Sequence, residues 1–397
     1  MTTKLQRPNK IAFHPDYILI TLLVTLSALS LLAIYGAIPL LAVGRSGTDL
    51  ITKQIIWIII ATGLLILLIV LGVDRLFTGI KVAYWILMGL LAILLVDKFL
   101  IDLPLIAPVN GTTAWYIIPG LGTIQPSEFM KIVLIILSAN IIHEHNENKT
   151  GNSYTEDIKL FLKIAAYAIP ALILIVAQPD TGIPIIIAIG LLVMLAVSGI
   201  RKEWILFTGM AVIMLIGLGL FLFLNYEDFL INLVGASYRL NRLYGWLKTE
   251  QYIASYVLLL YQSLLAVGSA GFNGHGLQSV VIGMIEPQND FIFAVFAQNY
   301  GFIGASVMIL IQLLLDLKII SIAMTYKKRR EKYFIAGVIG MLLFQQFQNM
   351  GMIIGLMPIT GITLPFVSAG GSSLLSYVPA LAVLFAMSST IKRKRTY

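Results

Sequence analysis

The chain has 397 residues, 59% of them hydrophobic and only 12% charged, with a mean hydropathy of +0.93. No water-soluble domain needs that much apolar sequence, so a soluble enzyme is excluded and a polytopic, all-α membrane protein is expected. The absence of cysteine excludes a disulfide framework, a cysteine metal site and a thiol nucleophile. The net charge of +8 bears on topology and lipid contact, and no nucleic-acid partner is expected.

The basic N-terminus, MTTKLQRPNKIAFHPDY, reads as a retained cytoplasmic end. Ten stretches then reach or approach the roughly 20 residues needed to cross a bilayer. They are 17–43, 51–73, 79–96, 126–142, 160–177, 183–199, 204–224, 291–324, 333–357 and 372–391. The third and sixth are short, and the eighth is long enough to tilt or to run on into the cytoplasm. The stretch around 261–290 is glycine-rich and reads as poorly helical. Two connections are long, about 97–125 and 225–290, and the rest are short. With the N-terminus inside, 20 of the 27 Lys and Arg fall on the inner side and six on outer loops, while Lys131 lies within the fourth stretch. That bias puts both termini in the cytoplasm and both long loops outside. The expected organisation is one integral membrane domain, 1–397, with about ten helices and a large outer loop between the seventh and eighth.

Candidate sites follow the same order. Trp115 ends a turn in the first long loop and reads by itself as an interface anchor. In QPSEFMK, Pro126 suits a first helical position, and Glu128 and Lys131 share one face three residues apart. An ionisable pair just inside a membrane helix turns to the bundle interior, as a structural salt bridge or as part of a site. Residues 178–182, QPDTG, read as a simple turn, with Pro170 and Pro184 suggesting bent helices beside it.

Residues 237–248 read as an amphipathic helix with Arg239 and Arg242 on one face. Such a helix lies at the membrane interface, and its arginines suit a headgroup or a pyrophosphate. Asn289-Asp290 precede the apolar run FIFAVF. Asp290 reads as a helix N-cap, as a catalytic carboxylate, or as both. Glu286 is the other acid in that stretch. Residues 349–373 break a membrane span with Gly and Pro, and Gly370-Gly371 read as a turn, a hinge, a close-packing point or an anion nest.

Together QPSEFMK, QPDTG, YRLNRLYGWL, YQSLLAVGSAGFNGHGL, NDFIFAV followed by GFIG, and GLMPITGITLPFVSAGGSS resemble the SEDS family, in that order and over nearly the whole chain. This is the shape, elongation, division and sporulation group that includes RodA, FtsW and SpoVE; GMIIGLMPITGI is nearer to RodA. The resemblance implies a peptidoglycan glycosyltransferase that polymerises lipid II at the outer membrane face for cell-wall elongation and cell shape. It also implies a class B penicillin-binding protein and other elongation proteins as partners. The family's key acid maps to Asp290, its loop tryptophan to Trp115 and its buried pair to Glu128 and Lys131. Arg239 and Arg242, or a divalent cation, would hold the pyrophosphate, and Gly370 and Gly371 would support the site. Ala114, Gln288, Gln298, His275 and Ala369 depart from the family's usual residues. The rival expectation is a lipid II flippase, which intramembrane charges and broken helices would equally suit.

Overall fold

The computed structural model describes residues 13–42, 46–100, 103–106, 113–149, 151–226, 229, 245–247 and 258–395. Arg239 and Arg242 lie outside them. The described helices are α1 Tyr17–Ala37, α2 Gly47–Leu71, α3 Asp74–Phe99, α4 Pro126–Asn148, α5 Tyr154–Ala177, α6 Gly182–Val197, α7 Lys202–Asn225, α8 Leu258–Ser269, α9 Ile292–Thr325, α10 Arg329–Ile353, α11 Gly371–Ser376 and α12 Val378–Arg395. All ten expected spans have helical counterparts: α1 to α7, α9, α10, and α11 with α12. The protein is an all-α polytopic membrane protein.

Several boundaries differ from the sequence reading, for physical reasons. The third span runs 26 residues because its first and last turns carry the charged Asp74, Arg75 and Lys98 around an apolar middle, ends that hydropathy alone clips. The glycine-rich stretch is helical at its start, as α8, and becomes irregular only after Ser269. Pro170 lies inside α5, whereas Pro184 sits in the first turn of α6, where no backbone donor is lost. Among the described residues, eight helices are long and apolar enough to cross a membrane. The other two of the ten are α6, which has only 16 residues, and α10, which carries buried Gln345, Gln346, Gln348 and Asn349.

Burial sorts the helices into centre and rim. α4, α10 and α12 are the buried centre, and α7 presents its apolar length to the membrane. α10 can be polar because protein surrounds it. Its closest neighbour is α6, and the two backbones meet at glycines. A Cβ on Gly337 would lie 2.7 Å from the Met194 Cγ, and one on Gly190 would lie 2.7 Å from the Met341 Cγ.

α9 is broken at Gly301, whose φ is 64° and ψ is −160°. Inside a membrane, a break must have its freed backbone groups satisfied by protein. The loop after α8 does this. Phe302 and Ile303 N–H donate to Gly271 and Phe272 carbonyls at 2.9 and 3.2 Å, and His275 and Gly276 N–H donate to Gln298 and Asn299 carbonyls at 2.9 and 3.1 Å. The Gln298 side chain accepts from Ile282 N–H at 3.0 Å and donates to the Ser279 carbonyl at 3.2 Å. Gln298 therefore braces the glycine loop against α9.

A short antiparallel hairpin, β1 Tyr116–Ile118 and β2 Gly122–Ile124, leads into α4 where the sequence pattern suggests only a loop. Trp57 from α2 holds the hairpin by donating to the Leu121 carbonyl at 3.2 Å.

Candidate active site

Four elements converge at the end of the bundle where α10 stops: the turn before α9, the start of α4, the turn between α5 and α6, and the segment 361–377. That segment is the LPFVSAGGSS stretch with its flanks, and it connects the others.

Asp290 is half-buried in a turn. The N-cap of α9 is Phe291, which makes no side-chain cap. The expectation that Asp290 itself occupies the N-cap is thus corrected: the helix starts one residue later. Its Oδ2 lies 3.3 Å from where a Cβ on Gly361 would stand, and Gly361 has φ 74°, a conformation that favours glycine. The Asp290 main chain is fixed by Asn349 on α10. The Asn349 amide donates to the Asp290 carbonyl at 2.8 Å and to the Ile362 carbonyl at 2.7 Å, so one side chain locks the acid's backbone to the segment that carries Gly361 and Ile362. The preceding residues are held as well. Ser368 Oγ donates to the Asn289 carbonyl at 2.7 Å, and Ala369 N–H donates to the Gln288 carbonyl at 2.9 Å. Ala369 and Gln288, two of the departures, therefore meet through their backbones, which either residue type can do.

Glu286 differs in kind. Its φ is 53°, and its carboxylate is occupied by the side-chain amides of Gln288 at 2.6 Å and Asn289 at 3.0 Å.

Glu128 and Lys131 occupy the first turns of α4, and their charged groups are 2.5 Å apart with side chains 8% and 0% exposed. The Lys131 ammonium lies 4.3 Å from the Tyr377 ring centroid, a cation–π contact. Ser376 Oγ donates to Glu128 at 3.5 Å. The Tyr377 hydroxyl in turn donates to Gln345 of α10. The segment that touches Asp290 at Gly361 thus touches the ion pair at Ser376 and Tyr377.

Gly370 and Gly371 have a definite role. A Cβ on Gly371 would collide with the Trp57 ring, so this is a close-packing point. Gly370 N–H donates to Gln54 at 3.3 Å. Ser372 Oγ ties α11 to the hairpin strand by donating to the Thr123 carbonyl at 3.1 Å. Trp115 is half-buried immediately before the hairpin, next to buried Ala114. Among the described residues, no group of three or more His, Asp or Glu side chains is arranged to hold a metal.

Sequence reasoning missed Asp180, which reads as part of a plain turn. One carboxylate oxygen accepts from Gly182 and Ile183 N–H at 3.1 and 3.2 Å, capping α6. The other accepts from the Gln125 amide at 2.8 Å and Ser127 Oγ at 3.4 Å, the residues that begin α4. The signal was available: an Asp two residues before a glycine-started apolar helix is an N-terminal cap pattern.

The family model described as Cell cycle protein, covering FtsW, RodA and SpoVE, matches residues 16–393. Stage V sporulation protein E of Bacillus subtilis (strain 168) is 33% identical over 326 residues, covering 80% of this chain and 84% of that protein. The probable peptidoglycan glycosyltransferase FtsW of Lactococcus lactis subsp. lactis (strain IL1403) is 31% identical, covering 73% and 71%. Among solved structures, the rod shape determining protein RodA of Thermus thermophilus aligns at TM-score 0.63 and 24% identity, over 96% of this chain and 98% of that one. A chain of a peptidoglycan synthase complex aligns at TM-score 0.69 and 24% identity, over 94% and 98%. With a family model covering almost the full length, relatives of this identity and the same helical fold, the chain belongs to the FtsW/RodA/SpoVE family, the SEDS proteins.

Proposed function

We propose that the protein is a peptidoglycan glycosyltransferase that joins lipid II units into glycan strands, with Asp290 as general base. The observation that carries this reading is a half-buried aspartate whose main chain is tied down on both sides, at the same end of the bundle as a buried carboxylate–ammonium pair. The relatives named peptidoglycan glycosyltransferase support the reaction class.

In this reaction Asp290 accepts the proton of an acceptor sugar hydroxyl as its oxygen attacks the donor's anomeric carbon. The bond to the pyrophosphate breaks, and the pyrophosphate leaves on its lipid. Asp290 suits this because its carboxylate stands over a glycine and its turn is tied down at three successive carbonyls. Glu128 and Lys131 neutralise one another beneath the site and set the position of segment 361–377. Arg239 and Arg242, or a divalent cation, are proposed to hold the pyrophosphate. Trp115 is proposed as a contact to the sugar portion.

The proposal extends to organisation: one membrane domain in the bacterial cytoplasmic membrane, with loops 97–125 and 225–290 outside and both termini inside. A class B penicillin-binding protein is the proposed partner. Support for a crosslinking partner comes from the aligned peptidoglycan synthase complex, in which polymerization and crosslinking are coordinated. The cell-shape role suggested by GMIIGLMPITGI is the finest part of the proposal, and the FtsW and sporulation names among the relatives support only the glycosyltransferase part.

Purified protein given lipid II in detergent, where no membrane sidedness exists, is expected to yield long glycan. A protein that moves lipid II in vesicles yet makes no polymer in detergent would be a flippase instead. For topology, a reporter fused after Tyr397 is expected to be cytoplasmic and one inserted at Glu250 to be external. The reverse labelling would overturn the orientation and with it the outward-facing site.

A further inference from the structure

We infer that Asp180 is a third carboxylate of the site, a positioning residue that holds the Glu128–Lys131 half and the Asp290 half in register. The inference rests on the catalytic reading of Asp290 given above.

The geometry is that of a bridge. Through Oδ1, Asp180 fixes the start of α6; through Oδ2, it fixes Gln125 and Ser127 at the start of α4. Glu128 is the next residue along. On the other side of the turn, Gly182 packs on Ile362: a Cβ there would lie 3.0 Å from the Ile362 Cγ1. Ile362 follows Gly361, over which the Asp290 carboxylate stands, and its carbonyl is one of the two Asn349 holds. The Asp180 turn is therefore wedged between the ion pair and the bed of the proposed base. A carboxylate does this better than an amide, because both its oxygens accept and all four of its partners donate.

The bridge is also sensitive to protonation. Asp180 lies between helices, outside the membrane-spanning segments. Burial pushes its carboxyl up to about 6, with the Ile183 N–H opposing and the nearby Glu128 charge adding to the rise. Among the described residues, the charged groups on the elements packed against this turn are Glu128 with its partner Lys131 on α4, Lys98 of α3, whose ammonium donates to the Ala177 carbonyl at 2.8 Å, and Asp290 beside Gly361. A protonated Asp180 holds Gln125 and Ser127 more weakly, as an asparagine would.

The test compares wild type with Asp180→Asn at several pH values, using lipid II polymerisation by the full chain in detergent. Asp180→Asn is expected to lower kcat about tenfold at pH 7.5 with KM little changed, the signature of lost alignment in the reacting state. Near pH 5 most wild-type molecules carry the proton as well, so the ratio of the two rates is expected to fall to about two. Any limb due to Asp290 is common to both proteins and cancels in that ratio. Asp180→Glu should not restore the rate, since the longer side chain cannot keep both oxygens in place. If Asp180→Asn folds poorly, Gln125→Leu removes one donor to Oδ2 without touching the α6 cap and is expected to show the same narrowing ratio. Equal rates at pH 7.5, or a ratio unchanged down to pH 5, would refute the positioning role while leaving Asp290 untouched. A wild-type protein without polymerase activity would instead refute the reading of Asp290.

Discussion

Asp290→Asn is expected to abolish polymerisation of lipid II while leaving yield, unfolding midpoint and binding to the partner synthase unchanged. The substitution keeps the side chain's shape and removes its charge and its ability to take a proton. It spares the N-cap position of α9, because that position is Phe291 and the helix begins at Ile292. It leaves the Asn349 and Ser368 bonds in place, because these go to main-chain carbonyls of Asp290 and Asn289. Losing a general base costs about 10²–10⁴ in rate, enough to bring long glycan below detection. Glu286→Gln is the control: its carboxylate is already occupied by the amides of Gln288 and Asn289, so it should retain activity. Asn349→Asp should resemble Asp290→Asn in rate, since a carboxylate cannot donate to the two carbonyls that Asn349 now holds. Long glycan from Asp290→Asn would end the assignment. Loss confined to Glu286→Gln would move the base four residues upstream.

How much of this was legible in the sequence depends on the range of the interaction. The spans were legible because burial in lipid demands apolar length, and the i, i+3 spacing of Glu128 and Lys131 already placed them on one face. Local information also gave Asp290 as an acid before an apolar run, though not where its helix would start, because the start is set by contacts to residues 361–369. The break at Gly301 was hidden inside a continuous apolar stretch; it is tolerated only when the loop at 271–276 supplies the missing hydrogen bonds. Gln298 looked like a departure at a functional position, yet it bridges Ile282 and Ser279. Asp180 was the most consequential omission. As a turn residue it needed no explanation, and its meaning comes from Gln125 and Ser127, more than fifty residues earlier in the chain.

The same contacts predict what happens when the ion pair is split. Lys131→Met removes the cation 2.5 Å from Glu128 in a place where the two side chains are almost wholly shielded from water. Breaking a buried pair by removing one partner costs roughly 3–5 kcal/mol, because the other charge is left uncompensated. Here the cost is aggravated by Asp180, whose carboxyl is pushed up chiefly by burial and further by the nearby Glu128 charge. The Tyr377 ring also loses the ammonium stacked on it. Lys131→Met should therefore lower the yield of folded protein and its unfolding midpoint, and Glu128→Gln should do so less, since glutamine can still accept from the lysine. Combining the two leaves no buried charge at either position, so the double variant should recover much of the midpoint lost in Lys131→Met. It should not recover polymerisation, because segment 361–377, whose Gly361 end lies against Asp290, loses the ion-pair contacts that fix its other end at Ser376 and Tyr377. The midpoints of the three variants, measured in one detergent, decide the matter. If Lys131→Met melts with wild type, water reaches the pair and it does not organise the site. If the double variant both melts and polymerises like wild type, the pair is dispensable and the alignment of Asp290 rests on Asn349 and Asp180 alone.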